Sequence, residues 1–536
     1  MTVFGAFEQT ARTHAAKPFL HVPASALPPA SAAPLELTYA AALEQVAALA
    51  ARYRARGYGV GHRVALLLEN RPECLLHFLA LNAAGASAVP LNPDYRPAEL
   101  EFVLRHSEAA LAVALPAHRA KLSSVALPDL AVAVAGPAFD PPPAPSPVQA
   151  AAPGEATEAA LLYTSGTTGQ PKGCILSNFY FLHIGHHYVT EGGLCEVRAG
   201  EERLITPLPL FHMNALAVST TAMILAAGCV IQLDRFHPRS WWADVAASGA
   251  TIVHYLGVMP AILLAQPPGP HDRAHRVRFG YGANANPKDH AAFEARFGFP
   301  LVEAWAMTET GGGAVIAASR EPRYVGTRCI GRPRPGLEVR IVDEDGRDVA
   351  DGEPGELLVR QAGPDPRRGF FSGYLKDPAA TEHAWRGGWF HTGDAVRRGP
   401  DGMLHFVDRR KNIIRRAGEN IAALEVEAAL AGHPAVAQVA VIAAPDALRD
   451  EEVMACVVSA PGAARDRATA IAIQDWCLER LAYFKAPGYV AFVDALPTTS
   501  TNKIQKARLA DFGADPLAHP HCFDLRARKK RDAPRA

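Results

Sequence analysis

Residues 161–173 have the sequence LLYTSGTTGQPKG. An apolar strand leads into consecutive Gly, Ser and Thr residues, which are followed by Pro171 and Lys172. Small residues let backbone N–H groups close around an anion, hydroxyls add donors, and lysine adds positive charge. The spacing differs from the Walker pattern GxxxxGK[ST], because Gly173 follows Lys172. An ordinary polar turn would explain the glycines and threonines, but the hydroxyls and the lysine after a buried strand favour a phosphate-binding loop.

The segments around this loop predict an α/β architecture. Upstream, helical spacing of apolar residues over 39–56 and 71–84 alternates with short apolar runs at 63–69, 86–90 and 111–114. Strands that alternate with helices predict parallel sheets covered on both faces. The proline-rich stretch 135–157 indicates a connector.

The pattern of apolar and turn-forming residues changes after about residue 325. Short strand candidates at 339–342, 355–359 and 403–407 are separated by Gly, Pro and Asp, which indicates an antiparallel or barrel-like unit. Beyond residue 408 the pattern predicts another small α/β unit, with helices at 424–430 and 468–481 and strands at 436–442 and 453–458. The tail from about 515 is predicted to be irregular, and its basic run at 526–531 to be a solvated end.

Composition excludes several classes of protein. The 536 residues include 54 basic and 54 acidic ones, so a zero net charge gives no electrostatic case for nucleic acid as a partner. Eight cysteines without a CxxC pair argue against a disulfide scaffold or zinc finger and for a reducing compartment. The first residues lack the pattern of a signal peptide, so a cytoplasmic protein is expected. The uncharged stretch 213–233 has the length of a membrane span, but its polar residues favour a buried helix at about 215–226 and a strand at 229–233.

Four further motifs follow the glycine-rich loop in order. They are WAMTE at 305–309, GWFHTGD at 388–394, DRRKNIIRRAG at 408–418 and PTTSTNK at 497–503. With the loop, this set resembles the signatures of the adenylate-forming superfamily, which includes acyl-CoA synthetases, peptide-synthetase adenylation domains and firefly luciferase. The resemblance covers about residues 35 to 510. It implies an α/β fold with a large N-terminal domain (1–410) made of two parallel-type αβ subdomains and a β-barrel-like subdomain. A small mobile α+β C-terminal domain (411–515) and the basic tail (516–536) would follow.

The resemblance also implies a nucleotide site. Adenylation brings a carboxylate to the α-phosphate of ATP, so the site needs cations and oriented donors. Thr308 would donate to phosphate, Glu309 would bind Mg²⁺, and Asp394 would accept from the ribose hydroxyls beside Arg409. Taken singly, Asp394 could be a turn residue and Glu309 a helix cap. The implied ATP-binding set is Thr164, Ser165, Gly166, Thr167, Thr168, Gly169, Lys172, Gly282, Ala283, Asn284, Glu303, Ala304, Trp305, Ala306, Thr308, Asp394, Phe406, Arg409 and Lys503.

Two positions in the adenine-binding segments depart from the family pattern. Asn284 replaces the usual proline, and Trp305 replaces the usual tyrosine, offering a larger stacking face or a core side chain. In the last motif, Asn502 replaces the usual glycine before Lys503. Lys503 would bridge the carboxylate and the α-phosphate as a flexible ammonium, or be a solvated lysine. Lys411 would be the hinge between the domains.

The sequence alone does not determine which thiol accepts the acyl group or which carboxylic acid is activated. Arg416, Ala417, Gly418 and Glu419 resemble the segment that faces the pantetheine tunnel in CoA ligases, and Gly418 would let a thin thiol chain pass. Coenzyme A is therefore expected, with loading of a carrier protein in trans as the alternative. The stretches PLFHMN at 209–214, QPP at 266–268 and FVDRR at 406–410 resemble those of crotonobetaine/carnitine–CoA ligases. The acid-binding residues would be His212, Met213, Asn214, Val258, Tyr281 and Gly311. A betaine, a short branched or hydroxy acid, and a medium-chain acid all stay possible, as does a homodimer.

Two clusters of histidines could be considered as metal-binding sites. His183, His186 and His187 have helical spacing without an acidic or cysteine partner nearby in sequence, so a partly exposed helix face is expected. His519, His521 and Cys522 lie in the predicted tail, where metal binding would be adventitious.

Overall fold

The computed structural model describes residues 1–27, 33–125, 127, 130–148, 151–164, 171–409, 413–497 and 506–531. In chain order its strands are β1 (Pro18–Val22), β2 (Leu35–Thr38), β3 (Arg63–Leu67), β4 (Ser87–Pro90), β5 (Leu111–Ala114), β6 (Ala131–Val134), β7 (Glu158–Thr164), β8 (Lys172–Ser177), β9 (Arg203–Thr206), β10 (Cys229–Gln232), β11 (Ile252–Leu256), β12 (Phe279–Ala283), β13 (Leu301–Trp305), β14 (Ile316–Ala317), β15 (Cys329–Gly331), β16 (Leu337–Val342), β17 (Gly355–Gln361), β18 (Gly373–Tyr374), β19 (Phe390–Arg398), β20 (Leu404–Arg409), β21 (Ile413–Arg416), β22 (Glu419–Ala422), β23 (Val436–Asp446), β24 (Asp450–Ser459), β25 (Tyr489–Phe492) and β26 (Cys522–Asp524).

Helices cover the faces of the sheets. In chain order they are α1 (Val3–Thr13), α2 (Tyr39–Ala55), α3 (Pro72–Ala84), α4 (Pro97–Ser107), α5 (Arg119–Ser123), α6 (Asn178–Val189), α7 (Thr220–Ala226), α8 (Trp241–Ala247), α9 (Val258–Leu264), α10 (Pro287–Phe297), α11 (Pro378–Ala384), α12 (Ala423–Ala431), α13 (Arg467–Arg480) and α14 (Ala510–Ala514). No helix in the described ranges is both long and apolar enough to cross a membrane.

Two sheets with mostly parallel strands are built from residues 18 to 374, as predicted for the N-terminal part of the chain. One has the strand order β14-β13-β12-β11-β9-β10-β1-β2, with antiparallel pairs only at its two edges. The other has the order β18-β8-β7-β4-β3-β5-β6, and its antiparallel pairs are β7–β8 and β8–β18. A wholly antiparallel sheet, β15-β20-β19-β17-β16, follows and confirms the change in architecture predicted after residue 325.

The stretch 213–233 contains a buried helix and a buried strand, but its first turns are not α-helical. Residues Asn214–Ser219 form a π-helix, and α7 continues from it. The hydroxyls of Ser219 and Thr220 donate to carbonyls five residues earlier, at 3.1 Å from Asn214 O and 2.9 Å from Ala215 O. Such widened turns are often found at functional sites.

The last part of the chain has a hydrophobic core of its own, which includes Ile414, Val426, Ile473 and Leu525. Its sheet has the order β22-β21-β24-β25-β26, with β23 beside β24. The proposed domain boundary at 410/411 and the hinge Lys411 lie outside the described residues.

The prediction of an irregular, solvated tail is wrong for the described residues up to 531. Strand β26 pairs with β25, and Leu525 lies in the core. Lys529 is fully buried, where it donates to Glu452 and, at 3.1 Å, to Phe484 O. Burial and the nearby Arg416 lower the pKa of Lys529 to about 7. A basic residue can be buried only with partners, and sequence alone did not reveal these.

Candidate active site

A cavity of about 470 Å³ opens at the carboxyl ends of parallel strands β11, β12 and β13. Crevices at this edge of parallel sheets are common ligand sites. Residues from the glycine-rich loop and from the motifs at 305–309, 388–394 and 408–418 line it, including Lys172, Trp305, Asp394 and Gly418. Segments that are more than 200 residues apart in sequence therefore share one site.

The glycine-rich loop begins and ends at this cavity. Thr164 and Lys172 are paired in the β7–β8 hairpin, and both line the cavity. The remaining loop residues, Ser165, Gly166, Thr167, Thr168 and Gly169, lie outside the described residues.

Tyr374 connects the lysine of the loop with the predicted magnesium ligand. Lys172 Nζ lies 4.8 Å from the Tyr374 ring centroid and 3.9 Å from Asp377 Oδ2. The Tyr374 hydroxyl donates to Glu309 Oε1 at 2.9 Å. Burial and the Glu309 carboxylate raise the pKa of Tyr374 well above its usual range, so the phenol keeps its proton. Sequence analysis missed Tyr374 because it belongs to none of the motifs.

The segment 282–284 forms one wall, and Glu303 supports it from behind. The Glu303 carboxylate accepts from the backbone N–H groups of Asn284 at 2.8 Å and Ala285 at 2.7 Å. Burial raises the pKa of Glu303. Asn284 has φ = +63°, which proline cannot adopt. A proline at position 284 would therefore require a different backbone conformation. Gly282, Ala283, Ala304 and Ala306 also line the cavity.

Trp305 and Asp394 make a direct hydrogen bond that sequence did not predict. The indole Nε1–H donates to Asp394 Oδ2 at 2.9 Å, and both side chains are buried while lining the cavity. Asp394 also pairs with Arg409 across β19–β20, although the Arg409 side chain lies outside the described residues. Thr308 and Phe406 line the cavity as well.

Four of the six predicted acid-binding residues line the cavity. They are His212, Met213, Asn214 and Tyr281. Gly311 does not line it; a Cβ there would lie 2.1 Å from Tyr180 Cε2, so the prediction mistook a packing glycine for a pocket residue. Of Val258 only the backbone, at the start of α9, is described.

Helix α6 contributes residues that sequence analysis did not assign to the cavity. His187 and Tyr188 line the cavity. The predicted partly exposed histidine face is confirmed, because His183 and His187 are half-buried and His186 is exposed, but sequence did not indicate that His187 faces a cavity. Burial lowers the pKa of His187 to about 3. Its Nδ1 lies 3.7 Å from Glu191 Oε2, an acidic neighbour four residues along the helix. His186, in contrast, is exposed.

The β21–β22 hairpin reaches the cavity from the C-terminal unit. Gly418 lies so close to strand β11 that a Cβ there would be 2.7 Å from Leu256 Cδ1. Glu419 Oε2 lies 3.4 Å from His212 Nε2. Of the four predicted CoA-binding residues, Gly418 alone lines the cavity among the described residues.

The prediction chose the wrong arginine of this hairpin. Arg416 is buried and its Nε donates to Glu452 at 2.7 Å, inside the C-terminal unit. Arg415, its neighbour, lines the cavity and lies 5.0 Å from the Phe406 ring centroid. Successive side chains of a strand point to opposite faces, so an error of one residue reverses the assignment. Lys503, the predicted catalytic lysine, lies outside the described residues.

Comparisons with known proteins agree with the motifs. The family model described as AMP-binding enzyme matches residues 7–375, and that of the AMP-binding enzyme C-terminal domain matches residues 425–503. The sulfoacetate–CoA ligase of Cupriavidus necator is 34% identical over 486 residues, which cover 88% of this chain and 92% of that protein. The crotonobetaine/carnitine–CoA ligase of Salmonella paratyphi A is 30% identical over 494 residues, covering 88% and 93%.

A solved structure extends the similarity to the fold. The amide bond synthetase McbA from Marinactinospora thermotolerans superposes with a TM-score of 0.81 at 27% identity, covering 96% of this chain and 100% of that one. The fold and the family predicted from the motifs are thereby confirmed.

Proposed function

The chain belongs to the AMP-binding enzyme family and is an ATP-dependent acid–CoA ligase that works through an acyl adenylate, and we propose which of its residues carry the two half-reactions. The observation that supports these roles is the single cavity, which the nucleotide motifs, the acid-binding residues and the Gly418 hairpin all line. The alternative of loading a carrier protein in trans is not favoured.

In the first half-reaction a carboxylate oxygen of the acid attacks the α-phosphorus of ATP, and pyrophosphate leaves. We assign Lys172, Thr164 and the loop 165–170 to the phosphate chain, and Thr308 to a phosphate oxygen. Trp305 holds Asp394 by its indole N–H, which orients the carboxylate toward the ribose. Lys503 neutralises the two anions that meet, which is the electrostatic help that this reaction needs.

Glu309 is the residue that would hold Mg²⁺. Its Oε1 accepts from Tyr374, and the carboxylate lines the cavity, which suits a hard cation that prefers oxygen ligands. When bound, the ion would offset the negative charge of the phosphates. Tyr374 fixes the orientation of the carboxylate.

In the second half-reaction the thiol of coenzyme A attacks the acyl carbonyl, and AMP leaves with the bridging oxygen. The β21–β22 hairpin lies against the cavity, and Gly418 packs so closely on Leu256 that a larger residue there would clash with it. The arrangement described is therefore the one that we assign to thioester formation. Lys503 would enter the site in a second arrangement, after rotation at Lys411.

We place the enzyme in the cytoplasm. Seven of its eight cysteines are buried free thiols, and burial raises the pKa of those at positions 74, 229, 456 and 477 to about 12. Such thiols suit a reducing compartment that supplies ATP and coenzyme A.

Exchange of labelled pyrophosphate into ATP tests the first half-reaction. With ATP, Mg²⁺ and an accepted acid but no coenzyme A, we expect exchange, and we expect chelation of Mg²⁺ to abolish it. The acid is found by screening short acids, including sulfoacetate, crotonobetaine and carnitine, for AMP release that needs both ATP and coenzyme A. Formation of ADP and phosphate instead would contradict the proposal.

A further inference from the structure

A chain of hydrogen bonds lies behind the acid-binding end of the cavity. His254 is fully buried, and its Nδ1 lies 2.8 Å from Ser219 Oγ and 3.0 Å from Asn214 Oδ1. Its Nε2 lies 3.0 Å from the Tyr188 hydroxyl. Asn214 and Tyr188 line the cavity, whereas His254 does not. The chain therefore joins two wall residues through one buried imidazole.

The positions of the protons along this chain follow from its acceptors. We assign the hydrogen of Ser219 Oγ to Asn214 O, 3.1 Å away, which leaves the hydroxyl an acceptor toward His254. Nδ1 must then carry the imidazole proton. Burial lowers the pKa of His254 to about 3, so the ring is neutral and Nε2 accepts from Tyr188.

The same assignment fixes the amide of Asn214. Since Nδ1–H donates, the Asn214 atom beside it must be the carbonyl oxygen, and the reversed amide would bring two donors together. The two N–H groups of Asn214 Nδ2 are then available to donate to a ligand in the cavity. No described residue accepts a hydrogen bond from this nitrogen.

None of the described lining residues around this amide supplies an anion to accept from it, and the Glu419 carboxylate, which does not line the cavity, lies with its Oε2 3.4 Å from His212 Nε2. The neighbouring lining residues are Ile184, His187, Tyr188, Met213, Val218 and Tyr281, and none of them is acidic. His187 is neutral, because burial lowers its pKa to about 3. The Tyr188 hydroxyl hydrogen is used by His254. A ligand group that meets the Asn214 amide therefore finds an N–H donor, which it can satisfy only with an acceptor atom.

We propose that Asn214 selects acids that carry an oxygen acceptor beyond the reacting carboxylate, such as an ether, keto, carboxylate or sulfonate oxygen, and that His254 is the positioning residue that aims the Asn214 amide. This inference rests on the proposed function. The π-helix contributes to this arrangement, because its five-residue spacing brings both Asn214 and Ser219 to the His254 imidazole.

Acids of matched length test the selection. Pentanoate is compared with 3-methoxypropanoate and ethoxyacetate, in which an ether oxygen replaces a methylene, and with glutarate, which adds an anionic end. The wild-type enzyme is expected to favour at least one oxygen-bearing acid over pentanoate by about tenfold in kcat/KM, the usual value of one hydrogen bond. If the enzyme prefers an ether acid over pentanoate, Asn214 donates to a neutral oxygen. If it prefers only glutarate over pentanoate, Asn214 donates to an anionic oxygen.

The variants separate selection from folding. Asn214→Leu keeps the approximate shape and removes the donor, so the ratio of kcat/KM for the preferred oxygen-bearing acid to kcat/KM for pentanoate should fall to about one. Asn214→Asp should lower the ratio below one, because its carboxylate repels an acceptor. His254→Gln should lower the ratio as well, whereas loss of stability alone would slow both acids equally.

Thr220→Val is the matched control. Its hydroxyl bonds to Ala215 O in the same π-helix but does not contact His254, so the ratio should be kept. Equal use of pentanoate and all oxygen-bearing acids by the wild-type enzyme would overturn the inference while leaving the ligase assignment intact. If no acid supports AMP formation, the proposed function fails and the inference with it.

Discussion

Lys503→Ala is expected to slow acyl-adenylate formation by about 10²–10³-fold, the usual effect of losing one preorganised donor to developing negative charge. The reason is that Lys503 would contact both the attacking carboxylate and the α-phosphate during this step alone. Single-turnover formation of pyrophosphate, with the acid and ATP in excess over enzyme, measures it. The thermal unfolding midpoint should stay unchanged, because the polar sequence around Lys503 predicts little contribution to a core.

The second half-reaction serves as the internal control for this variant. Given synthetic acyl adenylate and coenzyme A, Lys503→Ala should form the thioester at close to the normal rate. Lys506→Ala is the matched substitution three residues along the chain. Its ammonium lies 2.6 Å from Glu427 Oε1 within the C-terminal unit, so both rates should be kept. Normal adenylation by Lys503→Ala would refute its assignment, and loss of both steps would refute the exchange between two arrangements.

Lys485→Ala is expected to impair thioester formation by about 10²-fold or more, because it leaves two buried carboxylates without their cation. Lys485 Nζ lies 2.6 Å from Glu99 Oε1, in the N-terminal part, and 2.7 Å from Glu425 Oε1, in the C-terminal unit. All three side chains are at most 12% exposed. Burial alone would lower the pKa of Lys485, but Glu99 and Glu425 raise it above its usual range.

This triad therefore holds the two units in the arrangement that places Gly418 at the cavity. Removing one member of such a buried pair costs about 3–5 kcal/mol. We assign adenylation to the arrangement in which Lys503 enters the site, and this arrangement does not need the triad. The rate of adenylation should therefore change less than about threefold. Rates of the two half-reactions, measured separately, check the difference. Arg465→Ala removes an exposed ion pair with Asp494 in the same unit and should change neither rate. Equal slowing of both steps by Lys485→Ala would contradict this role.

Local patterns were sufficient to predict the sheets. The alternation of helices with apolar runs predicted the parallel strands β3, β4 and β5. The short apolar segments separated by turn residues after residue 325 predicted the antiparallel sheet. Both patterns depend on periodicities of two and 3.6 residues that a single sequence displays. Similarly, ordered motifs located Lys172, Trp305, Glu309 and Asp394 at one cavity.

What sequence could not predict depends on tertiary partners. The burial of Lys529 requires Glu452, and the choice between Arg415 and Arg416 requires knowing which face of β21 meets the cavity. His254 lies outside every motif, and only its contacts with Ser219, Asn214 and Tyr188 reveal it. A strand residue next to a functional one, or a histidine between apolar residues, looks the same in sequence whether it is structural or functional.

The fate of the carboxylate oxygen tests most directly whether the reaction proceeds through an acyl adenylate. An accepted acid labelled with ¹⁸O in both carboxylate oxygens is incubated with the enzyme, ATP, Mg²⁺ and coenzyme A, and the products are analysed by mass spectrometry. Attack on the α-phosphorus followed by thiol attack on the carbonyl predicts one ¹⁸O atom in AMP and none in pyrophosphate. Unlabelled AMP, or ¹⁸O in inorganic phosphate beside ADP, would contradict the acyl-adenylate mechanism.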